Sequence, residues 1–182
     1  MNIDGALAAL EATRLAGYIR GSLYAFPFLE ATHVVALATV FGSAAILDLR
    51  LLGAASTGRP VHQVARDVLP WARRGFVLAA VTGLLMFTTN AGVYYHNLFF
   101  RVKMGLLVLA GVNAAAFELT ARRSIDEWNT RRKAPASGRA VATASLVLWI
   151  AIIFMGRWIG FTTTRATPDT DPGVNIEDLL PK

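Results

Sequence analysis

Whatever chemistry this chain can do rests on few residues: the three histidines His33, His62 and His96, three internal methionines, and a small set of ions in unusual places. His33 lies in an apolar helix-forming run, flanked by Ala31, Val34, Val35 and Ala36, so its imidazole needs a buried partner, a ligand or an aqueous cavity. Glu30 stands one helical turn away. Lys103 and Met104, Met155 and Arg157, and His96 behind Tyr94 and Tyr95 complete the set. These groups could hold a b-type haem, with His33 as one axial ligand, His96, Met104 or Met155 as the other, and Lys103 and Arg157 beside the propionates. Imidazole and thioether also suit Cu(I), which makes His33 and His96 a candidate metal pair. Glu30, His33 and the cations could instead form a pocket for an anionic or proton-linked ligand. Each residue has a plainer role too. Lys103 and Arg157 could snorkel to the interface, His96 could belong to an interfacial aromatic belt, and His33 could make a structural bond between helices.

The elements that must position these groups are transmembrane helices. Of 182 residues, 54% are hydrophobic and 16% charged, against about 25% charged in an ordinary soluble domain. Four apolar stretches, at about 26–52, 76–95, 98–120 and 141–161, each reach the roughly 20 residues a spanning helix needs. The spacing predicts an all-α, integral-membrane, up-down-up-down four-helix bundle over 25–165. It is preceded by an interfacial helix within 1–24 and followed by an acidic tail, 166–182, that carries Asp169, Asp171, Glu177 and Asp178. The absence of cysteine excludes disulfides, thiolate metal sites and a cysteine nucleophile. No hydrolase, P-loop or dinucleotide motif is present. The net charge of +6 does not imply nucleic acid, because the basic residues gather in two connections. One holds Arg50, Arg59, Arg66, Arg73 and Arg74; the other holds Arg122, Arg123, Arg131, Arg132, Lys133 and Arg139. By the positive-inside rule these connections are cytoplasmic and both termini lie outside.

Depth follows from a rise of about 1.5 Å per residue. Counted from the cytoplasmic basic residue of each helix, His33, Lys103 and Arg157 lie roughly 26–28 Å away and His96 roughly 33 Å. One cation or imidazole from each span thus reaches a common level near the outer face. A second polar group, Asp48, Arg50, Glu118 and Arg122, collects at the cytoplasmic end, with Asp48 and Arg50 expected as an ion pair and loop anchor. Asn113 sits near mid-depth, the place for a bond between helices.

The runs EATHVVALATVFGSAAILDLRLLG from Glu30, LPW at Leu69, TGLLMF at Thr82, FRVKMGLLVLAGVNA from Phe100 and GRWIGF at Gly156 resemble an uncharacterised family of small bacterial four-helix membrane proteins. That family stands near copper-resistance protein D and the four-helix b-type cytochromes. The resemblance implies a fold more than an activity. It also implies a histidine near the cytoplasmic end of the third span, where this chain has Phe117 and Glu118. The expected function is a haem-b-binding or redox-linked membrane subunit exchanging electrons with an external partner or the quinone pool. The alternatives are a non-catalytic subunit or anchor whose acidic tail docks a partner, alone or as a homo-oligomer, and a copper or small-anion transporter.

Overall fold

The computed structural model describes residues 2–129 and 134–164, with side chains placed outside 120–129 and 163–164. Seven helices follow in order: α1 (Ile3–Glu11), α2 (Arg14–Gly21), α3 (Ala25–Leu52), α4 (Val61–Thr89), α5 (Ala91–His96), α6 (Leu98–Asn129) and α7 (Ala136–Thr164). Among the described residues there is no strand. Helices α3, α4, α6 and α7 are each long and apolar enough to cross a membrane, and the chain is a multi-pass membrane protein. The acidic tail and the basic residues Arg131, Arg132 and Lys133 lie outside the described residues.

The four spans are arranged around an incomplete ring. Helix α3 packs along both α4 and α7, and α7 packs along α6, whereas α4 and α6 scarcely meet. Large apolar side chains on the outer surface, among them Val34, Val35, Leu109 and Val112, face outward, as helices with lipid for a solvent require.

The tightest packing is at the α3–α4 loop end, where Leu47, Leu51, Val61, Val64, Ala65, Ala134 and Ala142 form a buried cluster. The DLRLLG run builds that end. Leu51 and Arg50 are almost fully buried, and Arg50 Nε donates to the Arg59 carbonyl at 2.6 Å. Gly53, with φ 72°, adopts the left-handed conformation that closes a helix most cheaply when no Cβ is present. Its amide returns to the Arg50 carbonyl, and the Ala54 amide to Leu49. Arg59 in turn pairs with Asp67. The expected Asp48–Arg50 ion pair is not made among the described residues. Asp48 is buried, interacts with Ser145 of α7, and leaves Oδ2 without a hydrogen-bond partner among the described residues. Glu118 instead approaches Arg73 at 3.8 Å across an exposed surface.

Two elements differ from the sequence expectation. The second span is displaced: α4 begins at Val61, and its first half, amphipathic and rich in arginine, escapes a search for apolar runs. It ends at Thr89 rather than Tyr95. Asn90, at φ −148° and ψ 55°, breaks it, consistent with the preference of asparagine for non-helical backbone. The N-terminal segment is two helices, not one. Thr13 separates them, its hydroxyl capping α2 through the Ala16 amide. This hairpin holds the α4–α5 break: Arg20 donates to the Thr89 carbonyl at 2.7 Å and to the Glu11 carbonyl at 2.8 Å, while the Glu11 carboxylate accepts from the Gly92 amide at 2.8 Å.

Candidate ligand-binding site

His33 reaches inward from α3 onto α4. Its Nδ1 lies 2.9 Å from Thr82 Oγ1, and the Thr82 hydroxyl lies 2.7 Å from the Leu78 carbonyl of its own helix. With the hydroxyl proton on that carbonyl, Thr82 accepts from His33 and the imidazole proton sits on Nδ1; the Ala79 backbone is a further hydrogen-bond partner of the ring. In that tautomer the lone pair is on Nε2. The next residue, Gly83, provides the space, because a Cβ there would stand 2.9 Å from His33 Cε1.

The ring forms part of the wall of a cavity of about 570 Å³ between the four spans, within the roughly 300–1,000 Å³ of small-molecule sites. Phe76, Ala80 and Leu84 of α4, Phe100, Met104, Leu107 and Val108 of α6, and Trp149 of α7 supply mostly apolar walls. Among the described residues, Lys103 is the one other ionisable group on the lining. Its Nζ passes over Gly156 of α7, 3.7 Å from where a Cβ would sit. At the α5 end, the rings of Phe87, Tyr94 and Phe100 gather with centroids 5.4–6.3 Å apart; Phe87 and Phe100 line the cavity there, with Tyr94 packed on them. Burial, with the nearby Glu30 carboxylate, holds the Tyr94 phenol above its ordinary pKa.

His33, Lys103 and Met104 are thus brought together on one cavity. The other expected members are elsewhere. His96 is on α5, its Nε2 3.1 Å from Asp4 of α1 on an exposed surface, and it is not on the cavity lining that holds His33. Arg157 lies outside the lining, its guanidinium 4.9 Å from the Phe161 ring. Met155 and Glu30 also lie outside it. Asn113 donates to the Val141 carbonyl at 3.1 Å and ties α6 to α7. At the α5 end the same two helices are joined by Asn97, whose side chain caps α6 and donates to Thr162 at 2.8 Å. Among the described residues, no three histidine, aspartate or glutamate side chains cluster as a metal site.

Sequence reasoning missed Thr82, Gly83 and Trp149. The first two stand in the TGLLMF run, where a hydroxyl beside a glycine, facing a buried histidine, is the signal that was available.

The family model described as a family of unknown function (DUF6644) matches residues 9–162, and the chain belongs to that family. No curated protein and no solved structure matches the chain, so the expected likeness to copper-resistance protein D and the b-type cytochromes gains no support there.

Proposed function

For this member of a family without an assigned function, we propose a redox-linked inner-membrane subunit that holds a b-type haem in the four-helix cavity. The observation that carries the reading is the His33–Thr82 bond, because a proton held on Nδ1 puts the lone pair on Nε2, where a ligand can take it. The donor set fits the group: an imidazole from α3, the Met104 thioether from α6, one ammonium at Lys103 for a propionate, and apolar walls for the macrocycle. Bound haem supplies one-electron chemistry. The chain's own residues hold it, orient the imidazole and exclude water through the Phe87–Tyr94–Phe100 cluster. Both termini lie outside in this reading, which places the cavity in the outer half of the membrane. Impermeant maleimide should therefore reach a Ser56→Cys probe, in the α3–α4 loop, only from the cytoplasmic side.

The test is the absorption spectrum of the protein purified in detergent after growth with ample haem. A Soret band that is lost in His33→Ala supports the reading. A folded, colourless protein that stays colourless on haem titration overturns it and leaves the anchor subunit, in which His33–Thr82 is an interhelical bond alone.

A further inference from the structure

Helix packing bounds the cavity on three sides, Phe87 and Phe100 line it toward α5, and the remaining side faces lipid. Helices α3 and α4, α3 and α7, and α6 and α7 are in extended contact, while α4 and α6 are not. The residues bordering that gap both line the cavity and lie on the outer surface: Leu84 is 63% exposed and Val108 66%. In a bilayer their surroundings are acyl chains, because the gap runs along the apolar part of both helices. The lining is apolar toward the gap and ionisable at His33 and Lys103.

We propose that the α4–α6 gap is a lateral portal through which the cavity takes an anionic amphiphile dissolved in the bilayer, its acidic end on the Lys103 ammonium and its apolar body toward the gap. Lys103 supplies the sign of the charge. An ammonium on an apolar wall gains most from an anion that arrives already in the low-dielectric phase. The apolar lining toward the gap disfavours a hydrated anion, which would have to shed its water to enter. The proposal uses the same cavity as the haem reading but not iron ligation, so a haem is one member of the ligand class and a fatty acid another.

Trp149 on the cavity wall gives a direct readout. In the full-length, haem-free chain with Trp71, Trp128 and Trp158 changed to phenylalanine, Trp149 fluorescence is followed in phosphatidylcholine vesicles as a chain-brominated fatty acid is added. Saturable quenching is expected, at least about tenfold weaker in Lys103→Gln and slower to develop in Leu84→Phe/Val108→Phe. Quenching that rises linearly without saturation, or that ignores Lys103, overturns the proposal. So does quenching no stronger than that from an equal amount of brominated phosphatidylcholine. Should the tryptophan replacements prevent folding, a photoactivatable fatty acid on the wild-type chain replaces the assay. Crosslinks are then expected on α4 and α6 beside the gap, lost in Lys103→Gln; crosslinks spread over all lipid-facing surfaces overturn the portal. The two readings fail separately. A colourless protein with saturable quenching keeps the portal and loses the haem, and a haem-bearing protein whose apo form is unquenched keeps the haem and loses the portal.

Discussion

Gly83→Ala isolates the contact on which the site depends. The added methyl would meet His33 Cε1 at 2.9 Å, and ordinary contact begins at 3.4 Å, so the ring or the α3–α4 interface must give by at least 0.5 Å. The ring is poorly free to do so, because Nδ1 is bonded to Thr82 on the residue before Gly83; moving off the methyl lengthens that 2.9 Å bond. Overpacking of this kind costs about 1–3 kcal/mol, and loss of the bond about 0.5–1 kcal/mol more. The better helix propensity of alanine returns up to about 1 kcal/mol. The net expectation is a loss of about 0.5–4 kcal/mol in the otherwise native chain. In His33→Ala the ring is gone and the methyl has room, so the same change should be neutral or stabilising by up to about 1 kcal/mol. The double-mutant cycle therefore predicts a coupling of about 2 kcal/mol, read from reversible unfolding in mixed detergent micelles. Equal costs of Gly83→Ala in the two backgrounds would refute the packing of the imidazole against α4, and with it the orientation of Nε2.

Thr82→Val keeps the shape and removes the acceptor. It should cost about 0.5–1 kcal/mol and weaken haem retention about 10–100-fold, measured by haem transfer to apomyoglobin; unchanged retention would show that another group orients the ring. Arg20→Met removes the donor that joins the Glu11 and Thr89 carbonyls. Cleavage by added protease around Ala12–Thr13 should then rise several-fold, reflecting about 1 kcal/mol of lost anchoring, with the melting of the spans little changed. For Tyr94 the sign follows from a raised phenol pKa: the folded state keeps its proton longer, so the contribution is complete below the ordinary value of 10.0 and declines as pH rises above it. Stability should fall above about pH 10 in the native chain and fall less in Tyr94→Phe; parallel curves would remove Tyr94 from the aromatic cluster.

How far the sequence carried depends on what a linear count can measure. Counting residues gives depth, and depth was enough for His33 and Lys103, whose helices run unbroken from the basic residue used as the marker. For His96 the count from Arg74 crosses Asn90, where α4 stops and a separate helix begins, so one uniform rise per residue does not apply. A count also says nothing of rotation about the helix axis. Trp149 and Gly156 are two turns apart and share the face of α7 that meets the cavity and Lys103. Met155 and Arg157 flank Gly156 and are each turned about 100° away from it, so they reach the right level on the wrong sides. The apolar pattern could not supply that rotation, since a span bathed in lipid is hydrophobic on every face and its period carries little directional signal. Small and hydroxylated residues carry it instead. Gly83 and Gly156 mark where a neighbour's side chain crosses a helix, and Thr82 marks what that side chain bonds to. In a chain of this kind, a glycine or threonine at the depth of a buried ion identifies the inward face better than the apolar residues around it, and His33 opposite Thr82 and Gly83 is the position where that rule locates the site.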